Sequence, residues 1–148
     1  MSVKLVWREM AQTAPGSLKE ALKLVGKSQA TVLAGGTDIY PTMTGRDVPD
    51  RVVDISRISK LRGIRATEEG LSIGALTTWS DIVKAPLPKA YDGLRQAASQ
   101  IGGVQIQNSG TVGGNLCNAS PAADSVPPFL TLNARVNLAS ETGRRQIK

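Results

Sequence analysis

The sequence contains no histidine, and this absence excludes more chemistry than any other feature of its composition. A serine–histidine catalytic triad, a histidine-ligated metal and a histidine general base cannot be built from these residues. The single cysteine, Cys117, cannot form an internal disulfide, and it cannot hold a zinc ion or an iron–sulfur cluster alone. The chemistry must therefore come from carboxylates, hydroxyls, lysines, backbone amides or a cofactor.

Aromatic residues are also scarce. Two tryptophans, two tyrosines and one phenylalanine are too few for a surface that stacks on nucleic-acid bases. The 18 lysines and arginines are scattered, with no run longer than Arg144–Arg145. We therefore expect no nucleic-acid partner, although the net charge is +6. This charge fits an anionic small ligand or an acidic partner equally well.

Long apolar runs are missing as well. No run approaches the roughly 20 residues that cross a bilayer, so we expect no membrane span. The first ten residues lack the apolar segment of a secretory signal. A lone cysteine is typical of proteins in a reducing compartment. We therefore expect a cytoplasmic protein.

Glycine, by contrast, is plentiful, and it is concentrated in two similar stretches. "TVLAGGTDIY" occupies residues 31–40, and "GTVGGNLCN" occupies residues 110–118. Glycine removes the side chain that would keep a ligand from the backbone, and bare N–H groups bind diphosphates well. The spacing matches neither the dinucleotide-binding G-x-G-x-x-G motif nor the phosphate-binding G-K-[ST] motif. From these residues alone, two tight turns and two halves of one anion site both stay open.

If the stretches form one site, each has a defined set of donors. The first would offer the amides of Gly35 and Gly36 and the hydroxyl of Thr37, helped by a short helix that starts near Asp38. The second would offer consecutive amides in the same manner, with a threonine hydroxyl beside them. Its residues are Thr111, Gly113, Gly114 and Asn115.

The N-terminal residues predict a small parallel α/β unit. Apolar runs at 3–7, 30–34 and 51–55 predict strands, and the run at 30–34 is apolar throughout, which predicts burial. A helix is predicted over 15–27, and a strand–helix–strand sequence is usually parallel. Within it, Ser17 and Glu20 predict a capping box, and Gly26 predicts the end of the helix.

The residues after position 56 predict a mostly antiparallel α+β unit. Its predicted elements are a hairpin of 63–67 with 71–75, a helix over 77–84 capped by Thr78 and Asp81, a helix over 87–101, a loop from 102 to 118, a short helix within 124–133, and a hairpin of 134–140 with 143–148. We expect one unit over 1–56 and a second over 57–148. The second is expected to be incomplete, because the pattern breaks off inside an apparent strand.

Five stretches together resemble a known family. "AGGTDI" at 34–39 and "TVGGNLCNASPAADS" at 111–125 carry the resemblance. "VVDISRISKLRGI" at 52–64, "LSIGALTTWSDI" at 71–82 and "AASQIGGVQIQNSGTVGGN" at 97–115 extend it over nearly the whole chain. The sequence resembles the FAD-binding subunit or domain of molybdenum hydroxylases, a family that includes xanthine dehydrogenase and carbon monoxide dehydrogenase.

The resemblance implies an α+β, two-lobed FAD-binding fold of the vanillyl-alcohol oxidase type, with FAD in the cleft between the lobes. It also implies electron transfer from iron–sulfur clusters through FAD to an acceptor such as NAD. The molybdopterin and the clusters would lie on a large and a small partner subunit. No catalytic residue and no metal ligand is expected in this chain. The implied FAD contacts are Val32, Leu33, Ala34, Gly35, Gly36, Thr37, Asp38, Ile39, Thr111, Val112, Gly113, Gly114, Asn115, Asn118 and Asp124.

Some of these residues have a simpler interpretation. Asp124 precedes a predicted helix and is as well suited to cap it as to contact the flavin. Asp38 is expected to shape the first loop without touching phosphate, since two anions repel. Asn115 and Asn118 can donate amides to a ligand, or they can serve left-handed turns.

Expectations also follow for one residue beside the second glycine stretch and for one near the implied flavin position. Cys117 is expected to be a small buried hydrophobic residue. Ile101 stands where some eukaryotic relatives have a phenylalanine near the flavin, so stacking there is not implied.

Two alternative functions remain open at the level of sequence. One is a stand-alone flavin oxidoreductase of the same superfamily, and the other is a non-catalytic module that docks partner subunits.

Overall fold

The computed structural model describes residues 11–27, 29–42 and 49–148. The predicted strand at 3–7 lies outside these residues. The predicted mixture of a small parallel unit followed by helices and antiparallel hairpins is confirmed. The two units meet along the two glycine stretches.

The N-terminal unit is built on a three-stranded parallel sheet. Strands β1 (Ala11–Thr13), β3 (Arg51–Asp54) and β2 (Thr31–Leu33) lie in the order β1-β3-β2. Helix α1 (Leu18–Gly26) connects β1 to β2, and these two strands each pair with β3 rather than with each other. The central strand is therefore buried, with Val52 and Val53 at 1% and 4% exposure.

Three details of this unit differ from expectation. Ser17 accepts a bond from the Glu20 N–H, but the Glu20 carboxylate accepts from the Gly16 N–H, so the predicted capping box is displaced by one residue. Helix α1 ends at Gly26 as predicted, but without the left-handed cap that glycine usually supplies, since Lys27 follows in right-handed conformation. The expected burial of β2 is wrong for Val32, which is 42% exposed.

The C-terminal unit starts with a hairpin and a well-capped helix. Strands β4 (Ile64–Thr67) and β5 (Gly70–Ile73) pair antiparallel as predicted. Helix α3 (Trp79–Lys84) begins with the complete predicted capping box, in which Thr78 and Asp81 exchange bonds of 2.9 and 3.1 Å. The core of this unit consists of Trp79, Ile82, Leu94, Ala98 and Val112.

The region 87–118 is more helical than predicted. Instead of one helix over 87–101, a 3-10 turn at Lys89–Tyr91 follows Pro88, and helix α4 spans Asp92–Gln100. The predicted loop at 102–118 is wrong, since it contains helix α5 (Val104–Ser109) and helix α6 (Val112–Asn118). Glycine disfavours helix on its own, but packing and a threonine cap override that propensity in α6.

The remaining elements follow the sequence pattern. Helix α7 (Val126–Thr131) has both prolines in its first turn, and strands β6 (Val136–Ala139) and β7 (Arg144–Ile147) form the predicted hairpin. The tip of that hairpin returns to the N-terminal unit. A Cβ placed on Gly26 would lie 2.9 Å from a carboxylate oxygen of Glu141.

No helix within the described residues is long and apolar enough to span a membrane.

The end of the central strand supplies a pH-dependent contribution to stability. Asp54 accepts a bond from the Ser56 N–H at 2.9 Å and from the Gln12 amide at 3.2 Å. Partial burial raises the pKa of Asp54, but the bonds from Ser56 and Gln12 and the Arg57 guanidinium outweigh it, so the pKa lies below its usual value. A carboxyl with a lowered pKa stabilises the fold above its unfolded-state pKa.

We therefore expect Asp54→Asn to lower the free energy of unfolding at pH 7 by about 1 kcal/mol or less. The deficit should shrink as the pH falls below about 4, because the wild-type carboxyl then becomes protonated as well. Thermal unfolding of both proteins between pH 3 and pH 7 measures this. A deficit that is the same at all pH values would contradict the assignment.

Candidate functional site

A cleft of about 440 Å³ lies between the two units. This volume is within the range of small-molecule sites, roughly 300–1,000 Å³. One wall comes from the loop after β2, here called the first loop (residues 34–38). The other comes from helix α6 and the residues just before it. The lining residues are Val32, Ala34, Gly35, Gly36, Thr37, Asp38, Ile39, Trp79, Ile101, Ile106, Gly110, Thr111, Gly114, Asn115, Cys117 and Asn118.

Two different constraints require the glycines of the first loop. Gly36 is buried and has φ +74°, a left-handed conformation that other residues avoid. Gly35 has no such φ, but a Cβ on it would overlap the carbonyl oxygen of Ser109 and lie 3.2 Å from the Gly110 Cα. Gly35 therefore has no room for a side chain, because the two walls of the cleft touch at this point.

The first loop keeps its backbone donors available. Among the residues that the structure describes, the N–H groups of Gly35, Gly36, Thr37 and Asp38 donate to no protein acceptor. The predicted short helix after them exists, but α2 (Ile39–Thr42) is a single turn. A row of unpaired N–H groups beside a cleft is suited to the oxygens of a diphosphate.

The second stretch works differently, because the amides that were expected to donate to a ligand are bonded within the protein. The Val112 N–H donates to the Thr77 carbonyl at 2.9 Å, and the Gly113 N–H donates to the Ala75 carbonyl at 2.8 Å. The next two amides, of Gly114 and Asn115, are bonded to Thr111, which caps helix α6 with its side chain and its carbonyl. The second stretch is thus a helix start whose backbone is already satisfied.

Gly113 has a packing role rather than a ligand-facing one. A Cβ on it would lie 2.8 Å from both the Cβ and the carbonyl oxygen of Ala75. Helix α6 can therefore approach the backbone after β5 only where the side chain is missing. The contact seats Val112 in the core of the C-terminal unit at 5% exposure.

The second wall offers side chains in place of amides. Asn115 accepts a 2.6 Å bond from the Ser125 hydroxyl, and Ser125 is fully buried. This bond uses the Asn115 carbonyl oxygen, which leaves its amide hydrogens as donors at the cleft. Ser125 was not predicted, and a lone serine in a turn gives no sequence signal for such a role.

Asp38 and Asn118 join the two walls directly. The Asn118 amide donates to one carboxylate oxygen of Asp38 at 3.1 Å, across 80 positions of sequence. The Thr37 hydroxyl donates to the other oxygen at 3.3 Å. The expectation that Asp38 shapes the first loop fits these bonds, and among the lining residues it is the single charged side chain.

The structure also resolves the simpler interpretations of the asparagines, Cys117 and Asp124. Asn115 and Asn118 are helical, so neither serves a left-handed turn, and Ala119 takes that conformation instead at φ 51°. Cys117 is exposed at the cleft, which makes the expectation of a buried residue wrong. Asp124 does not cap α7, because Ser125 occupies the N-cap position and the Asp124 side chain bonds to no described residue.

The predicted contacts fall into two groups. Four of them do not line the cleft: Leu33 and Val112 are buried in the two units, Gly113 packs on Ala75, and Asp124 lies exposed outside. All the others do. Lining residues outside the predicted set are Trp79, Ile101, Ile106, Gly110 and Cys117, and their apolar members lie on α3, on α5 and just after α4.

The residues present suit an FAD. One part of the lining is apolar, with Trp79, Ile101 and Ile106, as a flavin ring requires. Another part offers the free N–H row of the first loop, as a diphosphate requires. Among the described residues no lysine or arginine lines the cleft, and the donors that this lining offers are backbone N–H groups and neutral side chains.

The chain belongs to a family that agrees with this chemistry. Residues 8–148 match the family model described as the FAD binding domain in molybdopterin dehydrogenase. The predicted fold is confirmed by a solved carbon monoxide dehydrogenase from Hydrogenophaga pseudoflava, to which the chain is similar with a TM-score of 0.89 and 34% identity. That match covers 97% of this chain and 51% of the other.

Two curated relatives support the same family. The chain is 41% identical over 140 residues to the nicotinate dehydrogenase FAD-subunit of Eubacterium barkeri, covering 91% of this chain and 47% of the relative. It is 38% identical over 133 residues to the xanthine dehydrogenase FAD-binding subunit of Escherichia coli, covering 87% and 46%. The chain spans about half the length of the curated relatives it matches.

The contact between the walls predicts the effect of a single methyl group. Gly35→Ala should destabilise the protein by about 1–3 kcal/mol, because the added Cβ overlaps the Ser109 carbonyl. Gly93→Ala is the matched control, since a Cβ there meets nothing within 4 Å and lies in helix α4. It should be neutral or slightly stabilising, by up to about 1 kcal/mol. Denaturant unfolding compares the two, and equal effects would contradict the close contact.

Proposed function

We propose that this chain is the FAD-binding electron-transfer part of a molybdenum hydroxylase complex. The observation that carries the proposal is the row of unpaired N–H groups in the first loop, beside a cleft with an apolar end. Membership of the FAD-binding family supplies the identity of the ligand. When bound, the flavin supplies the redox chemistry, and the protein binds and orients it.

Different residues of the cleft would bind FAD in different ways. The first loop, with Gly35, Gly36 and Thr37, would donate to the diphosphate through its backbone. The side chains of Thr111 and Asn115 would donate from the opposite wall. Val32 and Ile39 border the first loop, and the remaining predicted contacts, including Asp124, stay predictions.

The proposed partners follow from the relatives. One solved relative is a carbon monoxide dehydrogenase that lacks the Mo-pyranopterin moiety of the molybdenum cofactor, and another is a Cu,Mo-CO dehydrogenase. We propose that a molybdopterin-binding large subunit oxidises the substrate and that a small iron–sulfur subunit passes the electrons to this FAD. An acceptor such as NAD would then take them, in the cytoplasm.

The unpaired N–H row also distinguishes the alternatives. A module that only docks subunits has no use for unpaired backbone donors beside a cleft, so this observation favours a ligand-binding role. A stand-alone flavin oxidoreductase would share the cleft but would not associate with a molybdenum subunit. Binding and composition measurements therefore separate the three functions.

A charge placed in the cleft tests whether FAD binds there. Val32→Asp puts a carboxylate beside the first loop, and it should weaken FAD binding at least about tenfold because it repels the diphosphate. Ile147→Asp is the matched control, because Ile147 is also a strand residue with the same 42% exposure but lies outside the cleft. Fluorescence titration with FAD gives both dissociation constants.

The controls make the result decisive. Thermal unfolding of the two variants should be similar, since each changes a half-exposed strand position. If wild-type protein binds no FAD, the proposed function fails. If Val32→Asp binds as tightly as Ile147→Asp, the cleft is not the FAD site.

The composition of the native assembly tests the proposed partners. Affinity purification from the native host should yield a yellow complex that contains molybdenum and iron together with flavin. Elemental analysis and flavin absorbance measure this. Flavin without molybdenum would favour the stand-alone oxidoreductase instead.

A further inference from the structure

The bond between Asp38 and Asn118 raises a question about charge. Among the described residues, the N–H groups of the first loop have no protein acceptor and lie beside the cleft, and the carboxylate of Asp38 lies in the same loop. A free carboxylate at this position would repel a diphosphate, and it could also accept the N–H groups that the diphosphate needs. No lysine or arginine among the lining residues offsets this charge.

Both oxygens of the carboxylate have partners in the structure. One accepts from the Asn118 amide at 3.1 Å, and the other accepts from the Thr37 hydroxyl at 3.3 Å. The Thr37 bond lies within the first loop and moves with it. The Asn118 bond reaches the last residue of helix α6, so it alone ties the carboxylate to the opposite wall.

We propose that Asn118 is a positioning residue that acts on the ligand through Asp38. Its amide holds the Asp38 carboxylate to the end of helix α6 and thereby keeps the N–H groups of the first loop available to a diphosphate. This inference rests on the proposed function. It reassigns Asn118 from a predicted direct FAD contact to a residue that bonds another protein side chain.

The rest of the chain keeps Asn118 in place for this task. Helix α6 is fixed at its start, where Thr111 pairs with Thr78 in a β-bridge and caps the helix. It ends at Ala119, whose left-handed conformation, at φ 51°, turns the chain away directly after Asn118. The amide is thus presented at the end of a short helix whose start is held by a bridge and a cap.

A rescue experiment separates this role from direct contact. Asn118→Leu removes the donor but keeps the number and branching of the side-chain heavy atoms, and it should weaken FAD binding about tenfold. Asp38→Asn removes the charge and is the reference with which the double variant is compared. In the double variant, Asn118→Leu should then cost less than about threefold relative to Asp38→Asn alone, because no carboxylate is left to restrain. Asn137→Leu is the matched control, an exposed asparagine on β6 outside the cleft.

Salt provides a readout that a purely structural role would not move. Repulsion between a released carboxylate and a diphosphate is screened by salt, so the deficit of Asn118→Leu should shrink between 50 mM and 500 mM sodium chloride. Fluorescence titration with FAD at both salt concentrations measures this. An undiminished deficit, or a double variant that is not rescued, would overturn the proposal and indicate that Asn118 contacts the ligand itself.

Unfolding without ligand keeps the two proposals distinguishable. A double-mutant cycle on Asp38 and Asn118, measured by denaturant unfolding in the absence of FAD, should show non-additive effects if the bond exists. Additive effects would overturn the inference whatever the outcome with FAD. Failure of wild-type protein to bind FAD, together with a coupled cycle, would overturn the proposed function and the ligand-directed role of Asn118, and would leave only the bond.

Discussion

The contact of Gly35 with the Ser109 carbonyl determines how the rest of the site is arranged. It brings the loop after a parallel strand against the residues that precede helix α6. At this separation Gly35 has no room for a side chain, so the two walls meet through their backbones. The cleft, the position of helix α6 and the orientation of the first loop all depend on this approach.

The two glycine stretches look alike in sequence but have different structural roles. In the first, glycine permits a left-handed turn at Gly36 and close approach at Gly35, and the nearby N–H groups stay unpaired. In the second, glycine permits helix α6 to pack on Ala75, and its N–H groups are bonded within the protein. A ligand held in this cleft therefore meets backbone donors on one wall and side chains on the other.

Much of the fold follows from local patterns in the sequence. The capping box of Thr78 and Asp81, the hairpin of β4 and β5, and the prolines in the first turn of α7 were all predictable, because each depends on neighbouring residues. Helices α5 and α6 were not predictable, because their glycines and asparagines favour loops and only tertiary packing makes them helical. Likewise, the bond that Asp38 accepts from Asn118 was not predictable, since this partner lies 80 positions away.

The same distinction explains which site residues were found. Motifs locate stretches of chain, and the stretches at 31–40 and 110–118 do meet at one cleft. A motif does not say which way each residue faces. Leu33 and Val112 alternate with cleft residues but point into the cores, and Ser125 acts through a single bond to Asn115.

Attachment at two places makes the length of the first loop significant. Gly35 is held near the start of helix α6, and Asp38 is held at its end. Three peptide steps span at most about 10–11 Å when extended, and a helix of 7 residues is about 10 Å long. Helix α6 therefore sets the separation between the two attachments of the loop. Insertion or deletion of one residue between Gly35 and Asp38 would put the two attachments out of register, whatever residue was used.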